Sequence, residues 1–122
     1  MLNLDFRDAR PIYEQVADGI EEMAMHGVMK PDEQLPSVRQ MAVELSINPN
    51  TIQRAYSELE KRGVVYSVKG RGNFISSDCA ALRQRKLDEI AQQIVALAAA
   101  ARELGADDKT LTGWLSEGGN GK

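Results

Sequence analysis

Apolar residues recur along this chain with two periods, and each change of period marks a change of element. Ile12, Val16, Ile20 and Met23 form one stripe at helical spacing, opened by Pro11 and ended near Gly27. A second stripe, Val38, Met41, Ala42 and Leu45, is broken by Ser46, Ile47 and Asn48, and a third, Ile52, Ala55, Tyr56 and Leu59, follows at once. Val64, Val65, Tyr66 and Val68 then favour a strand, and Phe74 and Ile75 a return strand. Beyond Ser76-Ser77-Asp78, apolar positions fall at Leu87, Ile90, Ile94, Leu97, Ala101 and Leu104, in steps of three, four, three, four and three. That heptad-like seam favours one helix lying along another. Gly105 ends the helix, Asp107 caps a short successor, and Leu111, Trp114 and Leu115 give that successor an apolar face able to fold back over the seam.

Polar residues punctuate the pattern where helices must begin and end. Ser37 followed by Gln40 makes a capping box, so a helix opens there. Pro49 suits the first position of a helix, which makes Asn48 its cap, and Gly63 can end it in the left-handed conformation. The expected fold is mainly α with a small β wing: a winged helix-turn-helix over residues 1–76, a C-terminal helical dimerisation hairpin over 77–117, and a flexible tail over 118–122. Residues Met1 to Arg10 read as a loosely held arm.

The face of the third helix opposite its apolar stripe carries Asn50, Thr51, Gln53 and Arg54, whose amide, hydroxyl and guanidinium groups match base edges and phosphates in a major groove. In isolation such a face reads first as a solvated helix surface. The next segment changes the balance, because Lys69-Gly70-Arg71-Gly72 sets two cations between glycines at the tip of a hairpin, within reach of a neighbouring backbone. Charge is distributed accordingly. Residues 1–36 hold three Lys/Arg against eight Asp/Glu, −5; residues 37–76 hold six against three, +3; the remainder holds six against seven, −1, which makes the net −3. An acidic whole with a basic reading head excludes a general nucleic-acid coat and fits a site-specific binder.

The run Leu35-Pro36-Ser37-Val38-Arg39-Gln40-Met41-Ala42 and the wing Gly70-Arg71-Gly72-Asn73-Phe74 resemble the DNA-binding domain of GntR-family transcriptional regulators. Pro11-Ile12-Tyr13-Glu14-Gln15-Val16 and Asn48-Pro49-Asn50-Thr51-Ile52-Gln53 are similar to its small YtrA-type branch, and the resemblance spans about Pro11 to Ile75. It implies that Ser37, Arg39, Asn50, Thr51, Gln53, Arg54 and the tip residues Lys69, Gly70, Arg71 and Gly72 touch double-stranded DNA, Arg39 by a charge-assisted contact near the groove. The position of Tyr13 implies a hydroxyl offered to a phosphate, and a buried aromatic anchor is an equal alternative. Three positions depart from the family pattern: Pro49 and Gln53 stand where many relatives place arginines, and Asp32 follows Pro31 where glycine is usual.

The expected function is therefore a sequence-specific transcriptional regulator, a repressor, acting as a homodimer through Leu87, Ile90, Ile94, Leu97, Ala101 and Leu104 on a palindromic operator. The alternative partition of the C-terminal region is an intramolecular hairpin packed on the winged domain. The alternative function is a winged-helix protein-interaction or architectural module, since fold alone does not fix function. An enzyme is not expected: the single His26 and single Cys79 are far apart in sequence, and no metal or cofactor motif is present. His26 sits beside Gly27, where a histidine interacts well with the helix dipole. Only 46 residues follow Ser76, too few for an effector-binding or aminotransferase-like domain, so a small-molecule effector of unspecified chemistry would have to bind at the dimer interface. One cysteine, no apolar run of membrane-spanning length and no signal-peptide pattern point to a reducing cytoplasm.

Overall fold

The computed structural model describes residues 2–121. Along it follow α1 (Ile12–Met25), α2 (Val38–Leu45), α3 (Pro49–Lys61), β1 (Val65–Val68), β2 (Gly72–Ile75), α4 (Cys79–Glu103) and α5 (Asp108–Gly121). Met1 and Lys122 lie outside the described residues, and the tail expected over 118–122 lies outside the described side chains. Two compact units partition the chain, Met1–Arg83 and Gln84–Lys122.

In the first unit the three apolar stripes converge on one core. Val16, Ile20, Ile52, Tyr56, Leu59, Val64 and Ile75 are its largest fully buried side chains. Each contributes roughly 1.5–3 kcal/mol relative to an exposed position. The unit's boundary falls at Arg83 rather than after Ser76, because the first turn of α4 belongs to this core: Cys79 is 6% and Leu82 4% exposed. Asp78 caps that turn by accepting from the Ala81 N–H at 3.0 Å.

Local signals act where the sequence places them. The Gln40 N–H donates to Ser37 Oγ at 3.1 Å and the Ser37 N–H to Gln40 Oε1 at 2.8 Å, completing the capping box of α2. Ser46 then turns left-handed (φ 55°) to end α2, so a serine takes a role usually filled by glycine. Asn48 Oδ1 accepts from the Asn50 N–H at 2.7 Å with Pro49 opening α3, and Gly63 (φ 79°) turns the chain into the wing. The antiparallel β1–β2 pairing sets Val65 against Ile75 and Val68 against Gly72. Tyr56 reaches out of the core to donate its hydroxyl to the Pro36 carbonyl at 2.8 Å, which fixes the entry to α2.

The expectation of a loosely held arm is corrected for residues 2–10. Leu2 and Leu4 pack against the core, and Gln15, 5% exposed, is satisfied by the arm's backbone. Its Oε1 accepts from the Asp5 N–H at 2.8 Å, and its Nε2 donates to the carbonyls of Asp5 at 2.9 Å and Arg10 at 3.1 Å. The arm crosses α1 at Gly19, where a Cβ would stand 2.2 Å from Leu2 Cδ2. Two apolar residues spaced by two are too short a pattern to announce this packing.

In the second unit α4 continues to Glu103, Gly105 (φ 104°) ends it, and Asp107 caps α5 by accepting from the Thr110 N–H at 2.9 Å. Four of the six seam positions are strongly exposed apolar side chains on α4: Leu87 54%, Ile90 41%, Ile94 47% and Leu97 71%. Ala101 is half-buried on the same helix, whereas Leu104 stands one residue past its end. Leu111, Trp114 and Leu115 of α5 meet Ile94, Leu97 and Ala98 around a small apolar recess, yet Trp114 is 55% and Leu115 63% exposed, so α5 leaves the seam uncovered.

Candidate nucleic-acid interface

The ten residues with expected DNA contacts are exposed apart from Thr51, which is half-buried. Four of them share one groove: Ser37 and Arg39 from the start of α2 line it together with Arg71 and Gly72 of the wing tip. Asn50, Thr51 and Arg54 share a separate recess with Pro11, Ile12 and Tyr13 at the start of α1. Gln53, Lys69 and Gly70 line neither. Ser37 already accepts the Gln40 N–H, so toward a phosphate it offers its hydroxyl proton.

Gln34 organises the wing side of the groove, and sequence patterning misses it. Its Nε2 donates to the Arg71 carbonyl at 2.7 Å, and its backbone bridges to Phe74. Gly72 (φ 122°) holds a backbone conformation that favours glycine, and an added Cβ would also crowd that same Nε2 at 3.0 Å. The tip is closed by the Arg71 N–H donating to the Val68 carbonyl at 2.9 Å, and Ser67 Oγ donates to Asn73 Oδ1 across the hairpin at 2.8 Å.

The base of the wing is tied down by Asp32, one of the positions that departs from the family pattern. It adopts φ 65°, the conformation that explains why glycine is usual there. The aspartate adds bonds that glycine lacks. Its Oδ1 accepts from the hydroxyls of Tyr66 and Ser77, both at 2.7 Å. Its backbone N–H, as a glycine's would, donates to the Ile75 carbonyl at 2.9 Å. The Ser77 and Tyr66 bonds hold its carboxyl below the ordinary range, while the Tyr66 hydroxyl is pushed up by the same carboxylate. Tyr66 also stacks on Phe74, with ring centroids 5.6 Å apart.

Of the six cations in residues 37–76, one is structural. Arg62 donates from Nη1 to Asp18 Oδ1 (2.9 Å) and Glu21 Oε1 (2.6 Å) on α1, and from Nε to Glu58 Oε2 (3.0 Å) on α3. Partial burial works against its charge, but the three carboxylates more than offset this and raise its pKa. Arg39, Arg54, Lys61, Lys69 and Arg71 form no ion pair among the described residues. Tyr13 presents its ring to Arg54, whose guanidinium carbon lies 4.0 Å from the ring centroid. That side chain is half-buried against the core, as the anchor alternative has it, and it also makes a contact to α3 that was not expected. Among the described residues no group of His, Cys, Asp and Glu is arranged to hold a metal ion, and no helix is long and apolar enough to cross a membrane.

Residues 12–75 match the family described as bacterial regulatory proteins, gntR family. The HTH-type transcriptional repressor YtrA of Bacillus subtilis (strain 168) is 37% identical over 118 residues, covering 96% of this chain and 91% of the relative. A crystal structure of a transcriptional regulator from Oenococcus oeni superposes with a TM-score of 0.79 at 27% identity, over 96% of this chain and 98% of that one. The crystal structure of AraR(DBD) in complex with operator ORX1 superposes with a TM-score of 0.56 at 28% identity, over 62% of this chain and 96% of that one. The matched span runs from the first turn of α1 to the last residue of β2 and so takes in the groove, the wing and all of the recess but Pro11. This chain belongs to the GntR family, and it is a DNA-binding transcriptional regulator.

Proposed function

We propose that the protein acts in the cytoplasm as a homodimer that sets two copies of α3 in successive major grooves of a palindromic operator and represses transcription there. In this reading Asn50, Thr51, Gln53 and Arg54 work from α3, Ser37 and Arg39 from the start of α2, and Lys69, Gly70, Arg71 and Gly72 carry the wing onto the flanking backbone. Half-sites then lie about one helical turn apart, roughly 10 bp. The observation that carries the reading is that Arg39, Arg54, Lys69 and Arg71 are exposed and form no ion pair among the described residues, on a chain whose net charge is −3. Phosphates would supply the missing counter-charges, and the acidic remainder disfavours loose attachment to arbitrary DNA. Repression is the activity named for the relative YtrA.

The dimer contact assigned to Leu87, Ile90, Ile94, Leu97, Ala101 and Leu104 is supported by the exposed apolar side chains of α4 and α5. A second copy would bury them, as an isologous contact requires the same patch on both partners. The α4–α5 recess measures about 190 Å³, below the roughly 300–1,000 Å³ of sites that enclose small ligands, which favours filling by a partner helix over a small-molecule effector. The protein then works by binding and not by catalysis.

Arg39 gives the direct test of the site. It is exposed and makes no hydrogen bond or ion pair among the described residues, so replacing it with Ala leaves the fold untouched. A charge-assisted contact is worth about 1.5–3 kcal/mol. Fluorescence anisotropy on a selected operator duplex should therefore show Arg39→Ala binding roughly tenfold or more weaker, with an unchanged melting temperature. A fall in melting temperature, or unaltered affinity, would remove Arg39 from the site.

A further inference from the structure

The contact between Arg54 and Tyr13 joins the recognition helix to the first turn of α1, and it bears on which part of DNA Arg54 meets. Tyr13 is half-buried and packs against the core, so its ring is a fixed surface. Arg54 is exposed and has no hydrogen-bond or ion-pair partner among the described residues, so the ring face, 4.0 Å away, is what defines its rotamer. A guanidinium lying over an aromatic face keeps its N–H edges free, and those edges form the fork that meets two phosphate oxygens. The space beside it is an open recess of about 340 Å³ lined by Pro11, Ile12, Tyr13, Asn50, Thr51 and Arg54. That is on the order of ten water volumes, room for a phosphodiester.

Direction decides between backbone and base. In a helix-turn-helix the recognition helix lies in the groove while neighbouring elements cross the backbone. Arg54 is drawn sideways from α3 toward α1, and thus toward the groove's rim, where phosphates lie. We propose that Tyr13 is a positioning residue whose ring holds the Arg54 guanidinium over this recess to clamp a DNA phosphate. Arg54 then contributes affinity and register, and sequence discrimination falls to Asn50, Thr51 and Gln53. The inference rests on the DNA-binding role proposed for Arg54.

The test uses the full chain and a mixed-sequence duplex a few helical turns long, with the dissociation constant followed against KCl concentration upward from about 20 mM, where counterion release favours even non-specific binding. Arg54→Ala should weaken binding and make the salt slope shallower by about one for each protomer engaged. Tyr13→Phe, which keeps the ring, should match the wild type. Tyr13→Leu should lose about two- to fivefold, the size of an exposed cation–π contact, and should cause no further loss in the Arg54→Ala background. In the free wild-type protein, NMR should find the Arg54 side-chain protons ring-shifted upfield, a readout that stands even where Tyr13→Leu fails to fold. Tyr13→Phe as weak as Tyr13→Leu would make the hydroxyl the contact and overturn the proposal; so would multiplying losses or unshifted Arg54 protons. If Arg54→Ala weakens binding while Tyr13→Leu folds and binds normally, the positioning role fails and the DNA-binding role stands. A wild-type chain that ignores the duplex sinks both.

Discussion

Asp32 stands at φ 65°, an unfavourable backbone for a residue with a Cβ, and offsets the strain by accepting the Tyr66 and Ser77 hydroxyls. These bonds are made to the ionised carboxylate and lower its pKa, so the sign of their pH dependence follows. Their stabilisation is fully present above the ordinary aspartate value of about 3.9 and is lost as pH falls through the lower folded value. Asparagine tolerates the same backbone but removes the charge. The melting temperature of Asp32→Asn should lie below wild type at neutral pH, and the gap should close on acidification. A gap that stays constant down to the acid limb would show that ionisation of Asp32 contributes nothing. Neither partnership is visible in the sequence, where Asp32 is only a departure from a glycine: Tyr66 and Ser77 lie 34 and 45 residues away.

Among the elements, those governed by neighbours in sequence were legible and those governed by distant contacts were not. The capping box at Ser37, the Asn48-Pro49 start of α3 and the glycines of the wing act over a few residues, so residue type and spacing place them. Arg39, Arg54, Lys69 and Arg71 were likewise readable as exposed cations. That Gln34 clamps the wing tip through the Arg71 carbonyl depends on a contact across 37 residues. The arm over residues 2–10 and the share of α4 buried with Cys79 and Leu82 were hidden for the same reason. The seam of α4 is an element whose pattern exceeds its coverage. Ile94 sits at its centre, 47% exposed within the chain, so Ile94→Asp adds a charge that a lone chain tolerates and an apolar contact between copies does not. Sedimentation should find wild-type dimers and Ile94→Asp monomers, both folded; a dimeric Ile94→Asp would move the interface elsewhere.

At the scale of the molecule, one unit carries the basic reading head and the other an apolar seam, and in the proposed dimer the seam presents a pair of heads to DNA with two-fold symmetry. Each head alone offers a few phosphate and base contacts, whereas linking two makes the second contact intramolecular and multiplies affinity without new chemistry. In that reading the acidic remainder of the chain opposes non-specific attachment, so the specificity ratio and not the bare affinity is what the architecture favours. Selection of bound sequences from a random duplex library, at salt near the physiological range where non-specific binding is suppressed, tests this most directly. Enrichment of an inverted repeat with half-sites about one helical turn apart is the predicted result. Recovery of an unpaired half-site, or of no motif from folded protein, would contradict it.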